Sequence, residues 1–155
     1  MPKIFLYGPD TQLSKLSDRV GPVEIDGGAV LRRHSLVFDK PNLKRRGEGL
    51  PNLAPADDSL TFGLLCELTP SQIETLDGYY GGYERRAVSV VIQPKDMHGT
   101  VSMKATPAEA YFARRVAKNL LPTKAVLDAT IKGAEDHRAP GTFLEVLHTQ
   151  KVIDG

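Results

Sequence analysis

Leu60-Thr61-Phe62-Gly63-Leu64-Leu65-Cys66-Glu67-Leu68, followed at once by Thr69-Pro70-Ser71-Gln72, carries the clearest structural reading in the chain. A run of this length and apolar density reads as a buried strand. Thr69 then offers an N-cap oxygen, Pro70 takes the first helical position, where a missing N–H costs nothing, and Gln72 completes a capping box. A short helix is predicted from Pro70, with Ile73 and Leu76 on one face and Gly78 as its stop. Gly81-Gly82 turns the chain, and Ala87-Val88-Ser89-Val90-Val91-Ile92 returns as a strand. This unit holds residues 77 to 85 at one edge of a sheet, where Tyr79, Tyr80, Tyr83, Glu84 and Arg85 can face a pocket.

Working outward, Lys3-Ile4-Phe5-Leu6-Tyr7 is a first strand stopped by Gly8-Pro9-Asp10, a sharp turn that exposes backbone N–H groups. Ala29-Val30-Leu31 and Ser35-Leu36-Val37-Phe38 are strand material interrupted by Arg32-Arg33-His34. Residues 39 to 59 contain Pro41, Gly47, Gly49, Pro51 and Pro55, which predicts a long loop of the functional or mobile kind. Towards the C-terminus, Thr106-Pro107-Ala108-Glu109 has the form of a capping box, and Ala110, Ala113, Leu120 and Leu121 recur near helical spacing, which points to a helix from about 107 to 120. Thr123 caps a further helix through Ala134, and Pro140-Gly141 breaks before an amphipathic turn containing Phe143, Leu144 and Leu147.

Composition narrows the function classes. At 155 residues with 41% hydrophobic content, the chain suits one core, and a single domain over 1–155 is expected. Lys and Arg number 20 against 19 acidic residues, so a net charge of +1 gives no general attraction to nucleic acid or an anionic membrane. A small molecule is the expected partner. Cys66, within the apolar run, reads as a small core hydrophobe. No signal peptide or long apolar span is visible, which makes the cytoplasm the expected location. His34, His98, His137 and His148 lack metal-ligand spacing, and neither a metal nor a cofactor is expected. Phosphate-loop, nucleophile-elbow and dinucleotide signatures are missing. Lys44-Arg45-Arg46, with Arg32-Arg33 nearby in sequence, reads as a solvated loop face or a contact for an acidic group.

Five stretches in order carry a resemblance. Tyr7-Gly8 after an apolar strand is similar to the Tyr-Gly-Ser-Asn or Tyr-Gly-Thr-Leu loop of the gamma-glutamylcyclotransferase-like family, which includes the AIG2-like proteins of plants. Asn52-Leu53-Ala54-Pro55 resembles the loop before that family's central strand. Leu60 to Leu76 matches its strand, turn and helix through Gly63, Glu67-Leu68-Thr69 and Leu76-Asp77. Lys132-Gly133-Ala134-Glu135 and Ala139-Pro140 resemble its Gly-Ala pair and following Pro. The fold this implies is α+β, a small mixed β-barrel with a few flanking helices. In that fold Glu109-Ala110-Tyr111-Phe112-Ala113-Arg114 occupies the place of a closing strand, so strand and helix remain open for this segment.

The implied chemistry is intramolecular aminolysis, in which the alpha-amine of a gamma-glutamyl group attacks its own gamma-carbonyl and releases 5-oxoproline and an amine. The amine is largely protonated at neutral pH, so the reaction needs a base and a donor to the leaving nitrogen. The family uses a Glu from a segment reading Leu-Asp, two variable residues, Glu-Gly. Leu76-Asp77-Gly78-Tyr79-Tyr80-Gly81 resembles it with Tyr80 in the place of that Glu. Tyr7, Gly8, Pro9 and Asp10 would occupy the substrate-binding turn, with Pro9 removing one N–H, and Tyr83 would line the pocket. Val126 departs from a frequent Tyr in the last long helix. A phenol is a poor base unless a cation such as Arg85 or Arg86 lowers its pKa. Tyr80 and Glu84 are therefore the candidate catalytic residues, and Asp77 is a further carboxylate. Three readings stay open: an enzyme acting on a small gamma-glutamyl amine, amide or amino-acid conjugate, or a close acyl-transfer variant of it; a lapsed relative that binds a metabolite; and an interaction domain using the 39–59 loop.

Overall fold

The computed structural model describes residues 2–93 and 105–153. His98 lies outside the described residues. Five strands close a barrel in the order β1-β3-β2-β4-β5, with β1 spanning Lys3–Leu6, β2 Glu24–Pro41, β3 Gly49–Glu67, β4 Tyr83–Ile92 and β5 Ala105–Ala113. All pairings are antiparallel except the closing one, where Ile4 of β1 faces Glu109 of β5 in parallel. Among the described residues four helices flank it: α1 Leu13–Val20, α2 Pro70–Tyr79, α3 Lys124–Asp136 and α4 Gly141–His148. The architecture is thus the α+β mixed barrel that the sequence resemblance implies.

Strand periodicity sorts the core. Phe5, Leu65, Ala110 and Phe112 point into the barrel with Leu31, Leu53 and Val90. Their neighbours Ile4, Leu6, Leu64, Cys66 and Tyr111 point outward and are covered by Leu16 of α1 and by Ile73 and Leu76 of α2. A third cluster lies where Phe62 and Phe38 meet Leu127 of α3 and Phe143 and Leu147 of α4. Each strand residue therefore serves either the interior or one helix layer, as a period of two requires. Gly63 allows β1 and β3 to approach closely, since a Cβ there would fall 2.2 Å from the Leu6 carbonyl oxygen.

The capping box forms as expected: the Thr69 hydroxyl accepts from the Gln72 N–H at 3.1 Å, and the Gln72 side chain accepts from the Thr69 N–H at 3.0 Å. Gly78 does not stop α2, which runs one residue further to Tyr79. One larger expectation is corrected. The segment 39–59 is mostly strand: β2 and β3 form one long hairpin, and only 42–48 remains as its connection. Breakers are accommodated because the ladder shifts register between Arg32 and His34 and again between Val37 and Lys40. An interaction domain built on a long loop loses its structural basis. The segment 107–120, open between helix and strand, is β5 up to Ala113, the closing strand of the resemblance, with Pro107 opposite Ser89. Pairing along β4 outweighs the local capping pattern there. A Gly8–Thr11 3-10 turn and α1 are additional elements.

Candidate functional site

β1 ends at Leu6, and the chain enters the 3-10 turn through Gly8 at φ +71°, a conformation that glycine adopts without strain. Pro9 sits in the first turn of this element, and the Thr11 hydroxyl closes it by donating to the Gly8 carbonyl at 2.7 Å. The turn is wedged against α3: a Cβ on Gly133 would lie 2.1 Å from the Thr11 hydroxyl oxygen. These constraints hold Asp10 with its side chain only 2% exposed. Its carboxylate accepts from the Arg19 guanidinium of α1 at 3.0 and 3.2 Å and from the Tyr80 hydroxyl at 2.5 Å.

Tyr80 follows α2 and lies in a tyrosine stack. Its ring is parallel to that of Tyr111 at 4.0 Å between centroids and meets Tyr83 edge-on at 5.1 Å. Tyr7 donates to the Tyr111 carbonyl at 2.5 Å, and Tyr83 donates to the Pro51 carbonyl at 2.5 Å. Burial raises the pKa of Tyr80 well above the usual phenol value, and the Asp10 carboxylate, both as a charge and as a hydrogen-bond acceptor, raises it further. Burial does the same for Tyr7, with the neighbouring Tyr83, Asp39 and Asp10 adding to it. Near neutral pH these phenols are hydrogen-bond donors.

A pocket of about 180 Å³ opens among Tyr7, Pro9, Asp10, Tyr80, Tyr83 and Val126, with Arg19 and Pro51 also on its wall. Asp10 is the carboxylate on that wall. The structure therefore brings together Tyr7, Pro9, Asp10, Tyr80 and Tyr83, with Gly8 beneath them packed on Pro51 and Val126 on the facing helix. Glu84 is placed elsewhere. It is exposed, bonded to Arg86 at 2.5 Å, and that guanidinium lowers its pKa. Glu84 lines an outer cleft of about 430 Å³ on the other side of Tyr80 and Tyr83. Asp77 lies in the same cleft, where Arg85 bridges it and Glu109 at 3.0 and 2.9 Å and the Tyr111 hydroxyl donates to it at 2.6 Å. Arg85 and Arg86 are thus committed to carboxylates and do not lower the Tyr80 pKa.

Sequence reasoning passed over Arg19 and Tyr111, and it assigned Asp10 to binding without seeing its contact with Tyr80. No local spacing signals an Arg nine residues after an Asp, and Tyr111 lies in the segment left open between helix and strand. Cys66 is buried as expected, and desolvation pushes its thiol up to about 12. Among the described residues no group of three His, Cys, Asp or Glu is placed to hold a metal ion. Nor is any described helix long and apolar enough to cross a membrane.

No family model matches the chain, and no curated protein is similar to it in sequence. Solved structures are similar in shape. A gamma-glutamyl cyclotransferase superposes with a TM-score of 0.84 at 19% identity, covering 99% of this chain and 89% of that one. An uncharacterized protein from Homo sapiens gives 0.82 at 18% identity with the same coverage, 99% and 89%. An AIG2-like protein from Mus musculus gives 0.53 at 16% identity, covering 76% of this chain and 80% of that one. At such identities the likeness is one of architecture: the chain has the gamma-glutamylcyclotransferase-like, or AIG2-like, fold.

Proposed function

We propose that the chain, working as one domain, is a gamma-glutamylcyclotransferase-like enzyme that converts a small gamma-glutamyl amine or amide to 5-oxoproline and a free amine. The observation that carries this reading is the Asp10 carboxylate, which meets the Tyr80 hydroxyl at 2.5 Å on the wall of the inner pocket. Where the family sequence has Glu after its helix, this chain has Tyr80, and Asp10 of the facing turn sets a carboxylate against the Tyr80 hydroxyl. Arg19 and Tyr80 together orient it.

In this reading the substrate's alpha-ammonium docks on Asp10 and passes it a proton. The freed amine attacks the gamma-carbonyl, forming the ring C–N bond, and the carbonyl oxygen takes up negative charge. Collapse of that intermediate breaks the bond to the leaving amine, which needs a proton as it departs. Tyr80 supplies it while regaining one from Asp10. A phenol whose pKa is raised does not release its proton alone, so the two transfers are coupled. That first proton thus ends on the leaving nitrogen, and the ring nitrogen, which keeps two hydrogens after the attack, gives its second to the regenerated Asp10 carboxylate, which passes it on so that the amine departs as an ammonium and the lactam N–H is left neutral.

A second reading is a binding protein that has lost turnover. The Arg19 contacts with Asp10 favour it, because the guanidinium already occupies both carboxylate oxygens that an incoming ammonium would need. Release of 5-oxoproline from a panel of gamma-glutamyl amines, amides and dipeptides separates the two. The enzyme reading expects turnover by the wild type that Asp10→Asn and Tyr80→Phe reduce and Glu84→Gln does not abolish. Silence of the wild type on every compound, with activity gained by Tyr80→Glu, would leave the binding reading.

A further inference from the structure

The net charge of +1 hides a polarised surface. Residues 40–46 and 114–118 hold seven of the chain's 20 Lys and Arg, namely Lys40, Lys44, Arg45, Arg46, Arg114, Arg115 and Lys118, and none of its 19 Asp and Glu. Tertiary structure joins the two segments. The Ala117 N–H donates to the Asp39 carbonyl at 2.8 Å, the Gly49 N–H to the Leu121 carbonyl at 2.8 Å and the Leu121 N–H to the Gly47 carbonyl at 3.0 Å. Leu43 shares the wall of a cavity of about 370 Å³ with Lys40, Arg114 and Arg115. Cations remote in sequence thus meet beside the tip of the β2–β3 hairpin.

The acidic neighbours are drawn away from this surface. Glu48 is 8% exposed and accepts from the Asn42 amide at 2.9 Å, and Asp39 accepts from the Asn52 amide at 2.9 Å. Glu84, which feels the charge of Arg114, is bonded to Arg86. Among the described residues Lys44, Arg46, Arg114, Arg115 and Lys118 meet no carboxylate within ion-pair distance, whereas Lys124 and Lys132 of α3, also exposed, meet Asp128 and Asp136.

The tip also presents aliphatic surface: Leu43 is 97% exposed and Val116 59%. That exposure of Leu43 is built into the turn. The Asn42 N–H donates to the Glu48 carbonyl, the Arg45 N–H to the Asn42 carbonyl and the Lys44 N–H to Asn42 Oδ1, each at 3.1 Å, so the chain on both sides of Leu43 is tied down while its side chain stands in solvent. A cationic rim around an aliphatic tip supplies the two signals of peripheral attachment to an anionic bilayer. Charge draws the surface to the headgroups, and the apolar side chain enters the acyl boundary. A surface for single-stranded nucleic acid would instead set aromatic rings among its cations. Neither segment contains an aromatic residue, and the neighbouring Tyr83 has the Lys40 ammonium 5.1 Å from its ring centroid and its hydroxyl bonded to Pro51.

We propose that the end of the β2–β3 hairpin and the segment after β5 dock on an anionic lipid bilayer, with Leu43 in the headgroup–acyl boundary and the surrounding cations on lipid phosphates and carboxylates. The inference stands apart from the gamma-glutamyl reading and needs no turnover.

The test is co-sedimentation of the full chain with vesicles of phosphatidylcholine alone and of phosphatidylcholine with about 30% phosphatidylserine. The wild type is expected to bind the anionic vesicles at least about tenfold more tightly, and raising salt from about 0.1 M to about 0.5 M should remove most of that difference. Leu43→Gln should weaken binding about tenfold, the scale of one aliphatic side chain taken out of water, and Arg114→Gln with Arg115→Gln at least as much. Lys124→Gln with Lys132→Gln, which removes two exposed cations from α3, should leave it unchanged. The chain has no Trp, so Leu43→Trp places a lone reporter at the tip. Its emission should move to the blue on anionic vesicles and not on neutral ones; thermal melts confirm that each variant is folded. Equal affinity for the two kinds of vesicle, an unmoved emission, or a loss from the α3 variant as large as that from the Arg114 and Arg115 variant overturns the proposal. So does binding to anionic vesicles that Leu43→Gln leaves intact. Tighter binding to a single-stranded RNA or to polyglutamate than to the anionic vesicles overturns it in favour of that polyanion.

Discussion

Two walls of the inner pocket are built on opposite principles. The turn from Tyr7 to Thr11 is buried and jammed, with Asp10 and Thr11 each 2% exposed and Gly133 of α3 in contact with it. The facing segment from Gly78 to Arg86 has open space above Gly78 and Gly81, and its charges pair near solvent, Arg86 with Glu84 and Arg85 with Asp77 and Glu109. A crowded wall fixes a carboxylate to within fractions of an ångström, as proton transfer demands. An open rim tolerates change and suits the discrimination of substrates. On the proposed function, chemistry belongs to the turn and selectivity to the rim.

The largest expected effect comes from the jammed wall. Asp10→Asn should lower kcat/KM for 5-oxoproline release by about 10²–10⁴-fold, the usual range for losing an acid–base group. The folded state should survive in circular dichroism, because the amide keeps the shape of the carboxylate. Retention of more than a tenth of the activity would move the chemistry out of the turn.

Next comes Gly133→Ala. The added methyl meets the Thr11 hydroxyl oxygen at 2.1 Å and backbone of Thr11 and Gln12 at 2.7 and 2.8 Å, and chain on both sides resists displacement. Urea unfolding should show a loss of about 2–3 kcal/mol, the scale of overpacking in a dense core. A neutral result would mean that the turn is free to shift.

Alkali should act on the same wall through its phenols. Burial raises the pKa of Tyr7, Tyr80, Tyr83 and Tyr111, and it holds the Cys66 thiol at about 12. The folded chain keeps these protons where the unfolded chain gives them up, from about pH 9 for the thiol and about pH 10 for the phenols. Their contribution to stability is therefore whole below about pH 9 and falls as pH rises through the folded values. Denaturation midpoints from pH 7 to 11 should decline with tyrosinate absorbance appearing on unfolding. Tyrosinate that appears in the folded state first would show the stack to be open to water.

The smallest effect belongs to the rim. Gly78 lies inside α2 with nothing near its missing Cβ, so Gly78→Ala should stabilise the fold by about 0.5–1 kcal/mol, as expected for glycine replaced in a helix. Paired with Gly133→Ala, it makes the comparison a matter of sign. Destabilisation by both would erase the distinction between a crowded wall and an open one.

Where local chemistry settles an element, the sequence was enough. The Thr69 and Gln72 capping box and the buried run from Leu60 are legible because their determinants lie within a few residues of one another. The helix α1 escaped notice because Gln12 provides no side-chain cap and the element is short. The long β2–β3 hairpin hid behind its prolines, which are tolerated only because bulges shift the register around them. β5 was obscured by a capping-box pattern that strand pairing overrides. In each case a partner remote in sequence decided the outcome.

The candidate site divides along the same line. By itself the chain marked Tyr7 to Asp10, Tyr80 and Tyr83 as pocket residues, through a motif order that survives at low identity, and it placed Cys66 in the core. Only the closed barrel could show that Asp10 reaches Tyr80 across 70 positions, that Arg19 clamps it and that Glu84 turns away to Arg86. A hydrogen bond depends on distances of a few tenths of an ångström and on direction. Residue order sets which groups are available, and tertiary packing alone sets which of them meet.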